Sequence, residues 1–388
     1  MNAMPLIKKA SLIIYVLLMA ILAIATILEP RWGTEQVTHL IYHSVPFCLL
    51  WGVLAIFTLW IICKLRMLKR MSVFMLHLSF IGILGGALIT FLSGKQGSIY
   101  LREGASTFQY VERGTNLTQT MPFSIQLDTF MIECYPDTDT PSDYISRVSL
   151  RSLVDADSLQ AEISMNQVLD WRGYRFYQSS YDEEGTGSWL SVNHDPWGTL
   201  VTYIGYVCLA LSMMLMLWQR RNRMYGILIG VTLLVAFVLQ WKMRHSLTAP
   251  VLVSPWFGIH IAFIVVAYVL LASVCINGIV ALFSTRLEEK LMRTSRMLLF
   301  PAVFFLGAGI FIGAVWANES WGRYWAWDPK EVWALITFMV YGLAFHTDSF
   351  PVFRRPRFFH IYVVLALLTV LMTYFGVNHW LGGLHSYN

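Results

Sequence analysis

The sequence predicts an all-α polytopic membrane protein of about nine transmembrane helices, with one extracytoplasmic all-β domain inserted between them. Three observations carry that prediction. The 388 residues are 56% hydrophobic and only 13% charged, which leaves too little polar surface for a soluble globule of this length. Apolar runs of roughly 20 residues, the length that crosses a hydrocarbon core, recur along the chain. One polar stretch, residues 94–198, interrupts the series and is rich in β-forming residues.

Taken in order, the apolar runs fall at 10–29, 44–63 and 71–93 before the polar stretch, and at 199–218, 224–241, 257–283, 297–316, 331–347 and 358–378 after it. Lys8 and Lys9 precede the first run and Ala23-Ile24-Ala25 lies near its end, so this run also fits a cleavable secretion signal; cleavage leaves the later topology unchanged. Lys and Arg set the orientation. With a cytoplasmic N-terminus, sixteen of them face inward, while the short outer loops hold five: Arg31, Lys242, Arg244, Arg323 and Lys330. The polar stretch then lies outside. It carries seven Lys plus Arg against fifteen Asp plus Glu, so the formal charge of +5 averages a basic inner rim with an acidic outer domain. No nucleic-acid partner is expected.

Within 94–198, Phe123 to Leu127, Tyr144 to Leu150 and Tyr174 to Tyr177 read as short strands separated by Gly, Pro, Asp and Ser clusters, the pattern of a small sandwich. The stretch has no Gly-rich phosphate loop and no nucleophile motif. Its one cysteine, Cys134, has no partner inside the domain, and Cys48, Cys63, Cys208 and Cys275 fall in or at the ends of spans, so no disulfide framework is expected.

The densest signal is Trp316 to Trp333, W-A-N-E-S-W-G-R-Y-W-A-W-D-P-K-E-V-W, with five tryptophans and a tyrosine between two apolar runs. An interfacial belt anchors a helix end with one or two aromatic residues. This density suits instead a large, flat, mostly apolar ligand with charged edges, stacked on indole faces and paired through Arg323 and Lys330. Asp328 reads as a helix N-cap, Pro329 as the first helical position and Glu331 as the closing residue of a capping box.

Two pairs of histidines share a depth. His77 lies about six residues into the third span and His346 at the inner end of the eighth. An ionisable group inside a span is a functional candidate, and two imidazoles from different helices suffice for both axial positions of a haem iron. The alternative for each is an interhelical hydrogen bond. On the outer side, His260 begins the sixth span and His385 lies near the C-terminus in Gly382-Gly383-Leu384-His385-Ser386-Tyr387, both level with the aromatic stretch. His39, His43, His194, His245, His360 and His379 fall in loops or at span edges, where solvation or capping is expected.

Trp321 to Glu331 resembles the WWD signature of haem-handling proteins in cytochrome c assembly, and Gly383 to Tyr387 resembles the closing motif of their CcsA branch. Leu76-His77-Leu78-Ser79, Gly94 to Gly104 and Tyr177-Gln178-Ser179-Ser180-Tyr181 resemble the CcsB, or ResB-like, partner. Across nearly its whole length the chain therefore resembles a fused CcsBA, the System II cytochrome c synthase family. The resemblance divides it into CcsB-like helices at 1–93, the β domain at 94–198, a helix at 199–223 closing the first half, and a CcsA-like haem-handling half at 224–388.

The resemblance also implies a route. Haem b from the cytoplasm rests on His77 and His346, then moves to an outer site ligated by His260 and His385 and built on Trp321, Trp325, Trp327, Asp328 and Arg323. There its vinyl groups meet the C-x-x-C-H thiols of an apocytochrome c, kept reduced by thiol-reducing proteins. No residue of the chain acts as nucleophile, and the implied location is the bacterial cytoplasmic membrane. Two other readings stand beside it. A haem exporter or chaperone without synthase activity uses the same ligands. A membrane cytochrome b stacks two ligands on one helix, and His346 and His360 have the spacing, but Asp348 to Pro356 interrupts the helix between them.

Overall fold

The computed structural model describes residues 4–65, 69–220, 222–244, 254–347 and 349–381. It is a helical bundle with one antiparallel sheet domain inserted. Before the sheet come α1 (Met4–Trp32), the short α2 (Thr34–Val37) running into a π-helical turn (Thr38–Tyr42), α3 (Val45–Lys64) and α4 (Met71–Ser93). After it come α5 (Pro196–Gln219), α6 (Arg223–Arg244), α7 (Pro255–Phe283), α8 (Glu288–Trp321), α9 (Pro329–Leu343) and α10 (Pro356–Leu371), the last continuing as a π-helix over Met372–Leu381.

Among the described residues eight helices are long and apolar enough to cross a membrane. The run expected at 331–347 is instead the 15-residue α9, ending at Leu343. At 1.5 Å per residue it covers roughly 22 Å, a shorter helix than the other crossings that runs from the aromatic loop to the level of His346. Its brevity leaves His346 on the turn that follows, not in a helix.

The sheet has eight strands: β1 (Lys95–Arg102), β2 (Ser106–Glu112), β3 (Thr118–Cys134), β4 (Pro141–Ser152), β5 (Ser158–Ile163), β6 (Leu169–Trp171), β7 (Tyr174–Tyr181) and β8 (Gly187–His194). Their order is β5-β4-β3-β2-β1-β8-β7-β6, with antiparallel neighbours throughout. The expected sandwich is therefore one sheet that curls almost shut. The 17-residue β3 shifts register at Leu127/Thr129 and at Glu133/Cys134, and such irregularities bend a strand. Across the curl, Ser146 of β4 donates to Gln178 Oε1 at 2.7 Å and lies 2.8 Å from Ser188 Oγ. Phe123, Ile125, Leu127, Val148, Phe176 and Leu190, fully buried, fill the interior through the alternation of each strand.

The first and last strands pair along their whole length, Lys95 opposite His194 and Arg102 opposite Gly187, so the chain enters and leaves the sheet side by side. Helices α4 and α5 consequently pack as neighbours. Small residues allow the approach: a Cβ on Gly86 would lie 2.6 Å from Thr202 N, and one on Gly205 would lie 3.0 Å from Ile83 N. In lipid, where apolar contact with a neighbouring helix gains little over contact with acyl chains, such close approach is a main source of helix association.

Helix α1 is integral to the bundle. Leu18, Leu22 and Ala25 are fully buried in one cluster with Val332, Ile336 and Met339 of α9. Tyr15 Oη donates to Met339 O at 2.8 Å and Trp333 Nε1 donates to Thr26 Oγ1 at 3.0 Å. Cleavage near Ala25 would strip α9 of that face. Intact-mass analysis of the purified protein should therefore find residues 1–25 retained; a mature chain starting near residue 26 would contradict this packing.

Candidate functional site

The aromatic stretch is mostly helix. Its first part, through Trp321, is the last turn of α8, and only Gly322 to Asp328 is irregular. Gly322 ends α8 in the left-handed conformation, φ 74°, with its N–H donating to Asn318 O at 3.1 Å, a conformation glycine adopts without Cβ strain. Space enforces the same choice, since a Cβ there would sit 2.5 Å from the Tyr177 ring of β7. Asp328 caps α9 as expected, its Oδ1 accepting Lys330 N at 2.9 Å, with Pro329 at the first helical position. Glu331 closes the turn differently from a capping box, accepting Ala326 N at 2.9 Å instead of the cap residue's own N–H.

Both flanks hold the loop. From the sheet side, Asn193 Nδ2 donates to Gly322 O at 2.6 Å, and Arg175 Nη2 lies 3.3 Å from Glu319 Oε1. From the membrane side, Tyr324 Oη lies 2.8 Å from Thr90 Oγ1 of α4, which itself donates to Asp195 Oδ2 at 2.6 Å. Sheet, α4 and loop thus form one connected polar frame.

Inside the loop, Trp327 is the unusual residue. Its φ is 60°, a left-handed conformation that costs a bulky residue roughly 1–3 kcal/mol. Packing holds it there. Its ring stacks on Tyr42 at 4.6 Å and 9°, with Phe47 edge-on at 5.5 Å and Trp325 edge-on at 5.8 Å. One face of Trp327 is thereby covered by protein, and both Trp327 and Trp325 are half-buried.

Trp325, Trp327, Arg323 and Asp328 line a cavity of about 2230 Å³ that also reaches His77 and His346 and then Lys69, Arg70 and Arg220 on the basic rim. Thr90, beside the loop, and His77 stand thirteen residues apart on α4, roughly 20 Å at helical rise. The cavity therefore runs along the helix from one end region to the other, with walls from α3, α4, α8 and α9 that are largely apolar.

The two inner histidines face each other, ring centroids 6.1 Å apart and planes at 88°. His77 Nδ1 bonds Val73 O at 2.8 Å and His346 Nδ1 bonds Gly342 O at 3.1 Å. Bonding Nδ1 to a carbonyl puts the proton there and leaves Nε2 as the free ligand nitrogen. Two imidazoles ligating one iron place their centroids roughly 6 Å apart, a metal–nitrogen bond of about 2 Å plus the ring's own radius on each side. Two ligands are too few for a structural zinc site, and are the number that a porphyrin iron takes.

The other sequence-predicted site residues do not all line this cavity. His260 lies at the α7–α8 contact, Nδ1 to Gly309 O at 2.8 Å, with its ring 6.4 Å from Trp316 at 23°, and it does not line the cavity. Lys330 turns away to Asn378 Oδ1 at 3.2 Å. His385 and the Trp321 side chain lie outside the described residues. Conversely, His39 and His43, read from sequence as loop residues, line the outer part of the cavity. Burial first, then the neighbouring His39, pushes the His43 pKa down, which favours the neutral ligating form. The signal for them was the four-residue spacing in Thr38-His39-Leu40-Ile41-Tyr42-His43, in a loop on the same side as the aromatic stretch.

Known proteins resemble parts of this chain. The family described as "Cytochrome C assembly protein" matches residues 197–385, and the "ResB-like family" matches residues 60–189. Protein NrfI of Wolinella succinogenes is 38% identical over 152 residues, 36% of this chain and 16% of NrfI. "Cytochrome c biogenesis protein CcsA" of Oenothera argillicola is 42% identical over 105 residues, 27% of this chain and 33% of the relative. The protein of the same name from Cuscuta exaltata is 30% identical over 184 residues, 37% of this chain and 58% of the relative. Each alignment spans less than two thirds of the relative's length. The two family matches do not overlap and together cover most of the chain, so a ResB-like domain and a cytochrome c assembly domain stand in one polypeptide, an arrangement consistent with a fused CcsBA.

Proposed function

We propose that the protein carries haem b from the cytoplasmic to the outer face of a bacterial cytoplasmic membrane and attaches it to the C-x-x-C-H thiols of apocytochromes c. The observation that carries this reading is the single cavity joining the facing His77/His346 pair to the aromatic loop. Haem is the substrate. Apolar walls suit its faces, imidazoles its iron, and basic residues at both ends its carboxylates.

In the attachment step each acceptor S–H adds across a haem vinyl group. A carbon–sulfur bond forms, the thiol proton ends on the other vinyl carbon, and no electrons are gained or lost. The acceptor cysteines must therefore arrive reduced, which is where thiol-reducing proteins enter. The chain contributes placement: an outer station that holds the porphyrin while two thiols reach its vinyl edge, the kind of positioning that replaces a bimolecular encounter. Arg323, Trp325 and Trp327, with Asp328 fixing the start of α9, form that station from the loop, and His260 and His385 complete its ligands in this reading.

Coexpression with an apocytochrome tests it. Covalent haem on the acceptor supports a synthase, while haem bound to this chain with none transferred supports an exporter or chaperone. The cytochrome b alternative loses support from geometry, because His360 is fully buried on α10 and gives Nε2 to Glu288 O at 2.9 Å.

Orientation gives a separate prediction. Reporter fusions after Arg70, Arg223, Arg296 and Arg357 should read cytoplasmic, and fusions at residues 150, 250, 320 and 388 should read outside. An outside signal after Arg357 would break the parity that brings the loop and the C-terminus to one face.

A further inference from the structure

Two guanidinium groups converge on the outer mouth of the cavity from different parts of the fold. Arg323 comes from the aromatic loop and Arg113 from the turn between β2 and β3, and both line the cavity. Among the described residues neither has a carboxylate within ion-pair distance, although the sheet domain forms several such pairs elsewhere. The acids at this mouth are engaged. Glu112 accepts from Thr115 Oγ1 at 3.1 Å and Gln119 Nε2 at 2.9 Å, and Asp195 accepts from Thr90, Thr199 and the Gly198 N–H. Glu331, whose charge reaches Arg323, holds Ala326 N.

Like charges brought together without a counter-charge repel, and a half-buried guanidinium loses hydration besides. Burial and the Arg113 charge both push the Arg323 pKa down, which expresses that cost. Arg113 is exposed and Arg323 half-buried, so a ligand bearing two negative charges can reach both and offset their repulsion. Guanidinium is also the group that grips a carboxylate through two parallel hydrogen bonds.

We propose that Arg113 of the sheet domain and Arg323 of the aromatic loop form a clamp for a dicarboxylate ligand, specifically the two propionates carried on one edge of haem. The proposal rests on the haem reading above and assigns the sheet domain a direct part in it. The propionates sit on the porphyrin edge opposite the vinyl groups, so a clamp at this mouth fixes which edge is offered to an acceptor. It also makes haem a bridge between the ResB-like half and the cytochrome c assembly half, since Arg113 and Arg323 fall in separate family matches.

The test compares haem with its dimethyl ester, which keeps the ring, iron and vinyl groups and lacks both acids. Binding is titrated spectroscopically on the full-length chain carrying His346→Ala, so that retention reports the outer end. Haem should bind about tenfold tighter than the diester. Adding Arg113→Gln should collapse that ratio toward one by weakening haem alone, and Arg113→Lys should restore part of it. A purely structural role for Arg113 would weaken both porphyrins equally and overturn the clamp, as would an unchanged ratio in Arg113→Gln. If the chain without any substitution binds neither porphyrin, the haem reading itself fails, which is a different result.

Discussion

Alanine at His77 or at His346 is expected to lower the haem that copurifies with the full chain by roughly tenfold, since a six-coordinate iron would lose one of its two axial ligands. The remaining haem should shift from a low-spin to a high-spin spectrum. Added imidazole should restore part of both, because the vacated space beside the partner ring accepts a free ligand of the same shape. The expectation comes from geometry on two helical segments. Each Nδ1 is tied to a carbonyl of its own segment, and the ring planes stand 6.1 Å apart by centroid. Unchanged spectra and cytochrome yield in both variants would leave the two histidines as packing residues.

The second large effect is a division of labour between neighbouring tryptophans. Trp325 is half-buried on the cavity wall and among the described residues its Nε1 has no hydrogen-bond partner, so Trp325→Ala should reduce outer-site haem strongly while Trp325→Phe, which keeps a flat face, should be milder. Trp327 has one face on Tyr42 and a left-handed backbone, so its role is to set the path of the loop. Trp327→Ala should lower the thermal stability of the protein as well as its haem content. Trp327→Gly, which accepts the same φ, should recover part of the backbone term and none of the stacking. Asp328→Ala removes a cap worth roughly 1 kcal/mol and should reduce cytochrome yield more than bound haem. If His260 and the loop serve one step, His260→Ala combined with Trp325→Ala should cost little beyond the worse single change. Strictly additive losses in cytochrome yield, with equal stability in Trp325→Ala and Trp327→Ala, would reject this arrangement.

Much of the fold was legible because lipid imposes simple rules. Apolar run length marked eight of the spans, and Lys and Arg marked their ends. The exception, α9, reads as a full span because Ala344 and Phe345 continue its apolar pattern past the last helical residue, and composition cannot see where hydrogen bonding stops. The sheet was legible as β but not as a single curled sheet, because closure depends on how far β3 bends at its register shifts and on Ser146 meeting Gln178 across the interior. Alternation reports which side of a strand is buried and is silent on what lies opposite.

At the site, cap chemistry was readable in Asp328-Pro329 because it is local, and the depth match of His77 with His346 followed from counting residues. Their contact did not. The same limit hid Arg113, Asn193 and Tyr177, which reach the aromatic loop across more than a hundred residues of chain. Sequence spacing placed His260 level with the loop, and the structure sets it at the α7–α8 contact with its ring against Trp316, where Gly313 makes room for the ring and Gly309 O bonds its Nδ1.

The central claim is that one continuous cavity joins the inner histidine pair to the outer loop, and Gly85 tests it directly. Gly85 lies on α4 between His77 and Thr90, lines the cavity, and among the described residues nothing beyond its chain neighbours and its own helix backbone lies within 4 Å of where its Cβ would be. The Cβ of a tryptophan there meets open space, and its indole is expected to narrow the passage. Measured together in cells making an apocytochrome, Gly85→Trp should leave haem on His77 and His346 with an unchanged low-spin spectrum, while covalent haem on the acceptor falls by about tenfold or more. Full cytochrome yield from a Gly85→Trp protein that still holds haem at the inner pair would show that haem reaches the acceptor by another path, and would contradict the account.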